Sequence, residues 1–373
     1  MNDRLPLRQQ LGRALREHGR AAALIAATVG AVALLFAFDA GWLDPRRLTP
    51  AKIANALEAH DGLHEGFRRA HAKGVCFVGH FDANGEGVRL SKARVFAAGR
   101  SSLIGRFSTG GGQPYSPDGR LVFHAMALSI TAANGEQWRT GMDDTPVFPV
   151  ATPQAFLDFQ VATQPDANGK PDPAKVAAYL QAHPETRAFM QWLKDHPLPS
   201  SFANGTYYSI NAFRFINAQG DSHFVRWSSL PETPFAAIDK DRLATLDHDF
   251  LFDDVRTRIT HGPLRWHLLL TLAKDGDPTN NATKQWPDDR ESVDVGTLSI
   301  ERVASEEDSP CRDLNFDPLI LPPGIAASGD PLLAARSAVY STSFTRRASE
   351  GPQPSAQAPA IHDAAQNGNR SKP

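Results

Sequence analysis

Cysteine is nearly missing from this chain: 373 residues include only two, Cys76 and Cys311. They form no CxxC and no CxxCH, which excludes zinc ribbons, thioredoxin-type redox motifs and covalent haem attachment of the c type. Their spacing leaves open whether they pair with each other. An excess of either charge is lacking too. Lys and Arg total 39 against 41 Asp and Glu, and the sequence pI is about 6.7, so nothing directs the chain to nucleic acid. There is no internal repeat. The length allows one large domain or two small ones, with room for a sizeable core.

What is present begins with a long apolar run. Residues 21–38, AAALIAATVGAVALLFAF, carry no charge and follow Arg4, Arg8, Arg13, Arg16 and Arg20. Gly41, Trp42 and Leu43 extend the run to a length that spans a bilayer. Arginine before the span and the folded bulk after it place the N-terminus inside and the main domain outside. Two readings stand: an uncleaved anchor, or a signal peptide cut near the small residues of 37–40. Either way the expectation is export to a bacterial periplasm, held at the inner membrane in the first case.

Three segments follow: a basic tip and transmembrane anchor over 1–43, a folded domain over 44–348, and a tail over 349–373. The tail is rich in Ala, Gln, Pro, Ser and Asn without an apolar period, and is expected to be disordered. Within the domain, 44–70 reads as a short helical arm punctuated by Pro45 and Pro50. Strands are expected at 75–81, 101–109, 122–131, 138–148, 208–217 and 223–228, with turn residues between them. Residues 172–195 read as two helices divided at Pro184, 240–275 as helix with some strand, and 276–294 as a long ordered loop. The expected class is α+β, with an antiparallel β-barrel core and surrounding helices, preceded by one transmembrane helix.

The most specific pattern lies in DPLLAARSAVYSTSFTRR, residues 330–347. Asp330 can cap a helix and Pro331 suits its first position. On that helix Arg336, Tyr340 and Arg347 fall within about 40° of one another, since four and seven residues nearly close whole turns. Two fixed cations beside one phenol make sense if the phenol acts as a phenolate, a ligand for ferric iron.

The strings RRAHAKGV, GRFST, DTPVF, NATKQWP, NFDPLILPPGI and RSAVY occur in the order and rough spacing found in haem catalases. The chain resembles that family over roughly 48–348, most closely its small catalase-related peroxidase branch. The resemblance implies haem b held non-covalently, with Tyr340 as the iron ligand and Arg336 as the arginine that hydrogen-bonds it. It implies His71 as the catalytic histidine above the haem, Ser108 as its hydrogen-bonding serine, and Arg68, Arg106 and Arg347 as propionate ligands. Arginine grips carboxylates bidentately, which suits that role. Phe156 matches a phenylalanine that packs on the porphyrin, with a plain core phenylalanine as the other reading.

One position departs from the family. Where catalases carry a distal asparagine, this chain has Asp143, with Asp144 following. An amide donates a hydrogen bond to peroxide; an ionised carboxylate only accepts. Burial beside a haem can keep Asp143 protonated and restore the donor, or it stays charged and repels peroxide. Weakened peroxide disproportionation is expected. The expected enzyme is a haem peroxidase that reduces hydrogen peroxide or organic hydroperoxides with a small organic electron donor. The chain stops soon after the last helix and has a short N-terminal arm, so a monomer or homodimer is expected. Two rivals are a haem enzyme rearranging lipid hydroperoxides and a non-catalytic haem sensor or carrier.

Overall fold

The structure is a computed structural model, and it describes residues 7–39, 42, 44, 46–120, 123–307 and 309–351. The expected disorder beyond 351 lies outside the described residues. The chain divides into two compact units, the first ending at Thr49 and the second starting at Pro50.

The first unit is helix α1, Leu7–Asp39. Its part from Ala21 to Asp39 has a mean hydropathy of 2.4 and none of it is buried, so it is long and apolar enough to cross a membrane. The helix ends short of the expected extension. Trp42 lies in a turn and donates its amide to the Ala37 carbonyl.

In the second unit, α2 (Pro50–Asp61) leads to strands β1 (Gly74–Ala83), β2 (Gly99–Thr109), β3 (His124–Thr131) and β4 (Gln137–Asp143). Helices α3 (Pro153–Thr163), α4 (Pro173–Ala182) and α5 (Pro184–Asp195) come next. Then follow β5 (Tyr207–Tyr208), β6 (Phe213–Ile216), β7 (Ser222–Pro231), α6 (Phe250–Ile259), β8 (Leu264–Leu272), β9 (Ser292–Ala304), β10 (Ile325–Ala327) and α7 (Pro331–Ser349). Pairing runs β7-β5-β4-β3-β2-β1-β9-β8 and back to β7, a closed antiparallel barrel of eight strands, with β6 and β10 as a side extension from β7. Closure removes the exposed edges that an open sheet of this length would present.

Strand alternation explains both faces of that barrel. On β2, Leu103 and Phe107 join the main core with Phe77, Met126, Leu128, Trp138, Trp227 and Trp266. Each such side chain contributes roughly 1.5–3 kcal/mol by leaving water. The intervening β2 residues face outward, yet Arg106 and Ser108 are also buried, so this side of the barrel is covered. Its outer surface is floored by small residues. Ala127 pairs with Arg106 and with Gly141, while Ala125 pairs with Ser108 and with Asp143. A cavity separates this surface from α3 and α7, both of which line it, and α2 packs against both helices.

Several elements differ from the sequence reading. The helix of the N-terminal arm is confined to Pro50–Asp61, because the glycines and charged run after it break the apolar period. The segment expected as one strand over 208–217 splits into β5 and β6 around Ile210, whose φ of 64° is left-handed. The expected loop of 276–294 ends inside β9, and the thirteen residues of that strand were not anticipated. Strand β9 is what joins β1 to β8 and closes the barrel.

Candidate active site

Helix α7 begins as its residues require. The Asp330 carboxylate accepts from the Leu332 amide at 2.9 Å, and Pro331 occupies the first turn. The other Asp330 oxygen accepts from Asn211 Nδ2 at 2.8 Å, and Asn211 Oδ1 accepts from Arg336 at 2.5 Å. Arg336 then donates to the Gly141 carbonyl and to the Tyr340 hydroxyl, both at 3.3 Å. The cap, the amide and the guanidinium thus form one chain of bonds that ends on the phenol. Asn211 was not singled out from sequence; an asparagine in a short loop carries no distinguishing pattern.

His71 lies just before β1 and takes a φ of 54°, a left-handed conformation that costs a non-glycine residue about 1–3 kcal/mol. Its Nδ1 is 3.4 Å from the Ser108 hydroxyl and its ring stands edge-on to Phe123. Burial, and after it Arg106, Arg336 and Arg68, pull His71 down to about 3, so the imidazole is neutral at any ordinary pH.

Arg68, Arg106 and Arg347 do converge. Between them sits a residue that sequence reading missed: Glu306, in the loop after β9. Arg106 donates to it through Nε at 2.8 Å and Nη2 at 3.1 Å, and Arg68 through Nη1 at 2.6 Å. Arg106 spends its other contacts on the carbonyls of His71 at 2.7 Å and Ala72 at 3.0 Å. Arg68 also donates to the carbonyls of Cys311, Arg312 and Leu314, and Arg347 donates to that of Arg312. Burial alone would raise the Glu306 carboxyl, but Arg106 and Arg68 hold it below the usual range. Burial and Arg106 pull Arg68 down to about 9, with Glu306 opposing, so it stays charged at neutral pH. A disulfide joins Cys76 of β1 to Cys311, with the two Cα atoms 5.6 Å apart, and so fastens this loop beside Arg106. The open question about the two cysteines is thereby answered: they pair.

All nine residues proposed from sequence line one cavity of about 660 Å³. Asp143 enters it from the end of β4. Burial first, and Asp144 second, raise its carboxyl to about 7, against the lowering effect of Arg336. Asp144 itself is buried, 3.2 Å from His124 Nδ1 but too oblique for a hydrogen bond. Phe156 is half-buried, stacks on Phe148 at 6.1 Å and packs against the cluster around Val150 and Leu332. It therefore both lines the cavity and belongs to a core.

A family profile described as Catalase matches residues 57–367. A catalase-related peroxidase of Synechococcus elongatus is 35% identical over 301 residues, covering 80% of this chain and 89% of that protein. One from Mycolicibacterium paratuberculosis is 30% identical over 315 residues, covering 84% and 99%. The chain belongs to the catalase family. With that membership it is an oxidoreductase of the haem peroxidase and catalase type. Among solved structures, a fungal catalase and catalase A of Saccharomyces cerevisiae both align with a TM-score of 0.68 at 20% identity. The matched region covers 75% of this chain but only 59% and 61% of theirs, and the likeness establishes the fold.

The family's cofactor is haem, and the cavity's own residues fit it. A volume of about 660 Å³ lies within the range of buried cofactor sites, roughly 300–1,000 Å³. The floor carries no bulk: a Cβ added at Gly141 would stand 3.4 Å from Arg336 Nη2 and 3.6 Å from the Tyr340 oxygen. Three guanidiniums around one carboxylate leave two positive charges, the complement of a porphyrin's two propionates. Arg347 Nε is buried with no hydrogen-bond partner among the described residues, a donor that a carboxylate would satisfy.

Proposed function

We propose that this catalase-family enzyme is a haem b peroxidase that reduces hydrogen peroxide or organic hydroperoxides with a small organic donor. The overall change is ROOH + AH₂ → ROH + H₂O + A. The observation that carries the reading is the pairing of a cation-backed phenol with a neutral, serine-bonded histidine in one cavity.

In this reading Tyr340 would hold the iron, while Arg68 and Arg347 would face the propionates and Arg106 would add its charge. Phe156 would lie against the macrocycle. When bound, haem supplies the redox-active iron that takes up two oxidising equivalents from peroxide and returns them to the donor. Arg336 donates to the Tyr340 oxygen and stabilises negative charge there. With Nδ1 paired to Ser108, Nε2 is the His71 nitrogen left to accept the peroxide proton and return it to the leaving oxygen. His71 is suited to accept first because it is neutral. Asp143 donates a hydrogen bond to peroxide only when protonated, and its elevation to about 7 makes that state abundant near neutrality. We assign catalase turnover a minor part, because the ionised form of Asp143 offers peroxide no hydrogen-bond donor where the family's asparagine always does.

We further propose that α1 anchors the protein in a bacterial inner membrane, with the enzymatic domain in the periplasm. The apolar stretch Ala21–Asp39 supports this, as do the arginines before it. So does the Cys76–Cys311 disulfide, which suits an oxidising compartment. Retention of the stretch as an anchor is preferred to its cleavage. We end the enzymatic domain just past 348, a reading supported by Glu350, which accepts from Arg69 and from the Gly66 amide.

Replacement of Tyr340 by phenylalanine tests the central assignment. The expected result is loss of the ferric tyrosinate absorption bands and of peroxidase turnover. Full activity with an unaltered spectrum would overturn it.

A further inference from the structure

We infer that Glu306 is a positioning residue for His71, acting through Arg106 on the backbone that holds the histidine in its left-handed conformation.

Glu306 is 6% exposed and faces a cluster of guanidiniums rather than solvent. Its two oxygens take Arg106 Nε and Nη2 in a fork, which fixes both the place and the plane of that guanidinium. What Arg106 then does with its remaining face is specific. Nη1 donates to the His71 carbonyl and Nη2 to the Ala72 carbonyl, so one rigid group grips two successive peptides. Those peptides follow directly on the residue whose φ of 54° disfavours any side chain larger than hydrogen. Such a conformation persists only where its surroundings over-determine it.

Neighbouring residues give the guanidinium this position. Gly74 is required there, because a Cβ on it would collide with all three terminal atoms of Arg106. The amide of Ala72 is held by the Gly111 carbonyl, so the segment is gripped on both sides. Glu306 itself is kept in place by Arg68, whose other amino group reaches the carbonyls of the loop closed by Cys311. A guanidinium without its carboxylate would be free to turn toward the cavity. It would then release His71, and with it the 3.4 Å contact between Nδ1 and Ser108.

The inference is tested on the full chain without haem, so that it does not depend on turnover or on the cofactor assignment. Hydrogen exchange is read at residues 71–74 in wild type, E306Q, R106K and the double variant, with β7 and β8 as internal reference. In E306Q exchange at 71–74 should rise roughly tenfold or more, the effect of losing a buried charge-assisted bond, while β7 and β8 hold their protection. The double variant should be no worse than R106K alone, because Glu306 acts only through Arg106. In histidine-labelled protein the His71 ring resonances should move, and those of His267 on β8 should not. G74A displaces Arg106 from the other side and should reproduce the local loss, which serves if E306Q folds poorly. Unchanged exchange at 71–74 would overturn the inference. So would a rise spread over β7 and β8, or additive effects in the double variant.

Discussion

Asp143→Asn offers the sharpest test of what the carboxyl at this position does. The carboxyl is raised from 3.8 to about 7, chiefly by burial and then by Asp144. If only the protonated acid donates to peroxide, the competent fraction is roughly 99% at pH 5 and roughly 1% at pH 9, tenfold per unit above the pKa. His71, at about 3, contributes no limb to this window. The rate constant for peroxide reacting with the ferric enzyme, measured by stopped flow, should therefore fall about a hundredfold across it. Asp143→Asn keeps an amide donor throughout, so its profile should be flat, matching wild type at pH 5 and exceeding it roughly a hundredfold at pH 9. Stability carries the same sign. A raised carboxyl contributes stability that is full below 3.8 and lost as pH rises through about 7. The shift sets a ceiling of about 4 kcal/mol, which cavity solvent reduces to roughly half, and haem-free melts of the variant should lack that loss. A variant that kept the wild-type slope, or was slower than wild type at pH 9, would refute the assignment of the limb to Asp143.

Three further outcomes are expected. Replacing both cysteines by serine removes a cross-link between residues 235 apart in sequence, and should lower stability by about 2–5 kcal/mol in thermal unfolding, with dithiol then having no effect. Lys73→Met takes away the buried ammonium that Asp118 meets at 2.6 Å and Asp249 at 2.5 Å, and should destabilise the fold by about 3–5 kcal/mol in urea titration. A change under about 1 kcal/mol would mean that the pair is not the lock it resembles. Full-length protein should stay with membranes through an alkaline carbonate wash and retain its N-terminal sequence; a new N-terminus near residue 40 would identify a cleaved leader instead.

The barrel was legible because strand alternation is a short-range pattern, whereas most cavity residues, His71, Ser108, Arg68 and Arg106 among them, were legible only through the resemblance to haem catalases. Asp330, Pro331 and the 336–340–347 stripe needed only helical spacing and capping rules, and α7 occupies the range they imply. Strand β9 was lost for a local reason. It follows a polar, proline-marked loop, and its apolar residues Val293, Val295, Leu298 and Ile300 change phase across Gly296. Glu306 was hidden more deeply. In the string SEEDSP it reads as one of three exposed acids, and only the disulfide-held loop reveals that this one turns inward to Arg106. The pairing of Cys76 with Cys311 and the link from Asn211 to Arg336 likewise join residues far apart in the chain, where spacing carries no information.

The cavity takes His71 from just before the first strand and Tyr340 from the last helix. Chains are made from the N-terminus, so the barrel strands precede the last helix in order of synthesis. The proposed iron ligand, Tyr340, is thus made after every strand of the barrel. A chain that ends between residues 328 and 339 carries all ten strands and lacks the proposed ligand. Cofactor loading would therefore report that synthesis had passed residue 340, and a chain ending in that window is expected to keep its strands but stay colourless.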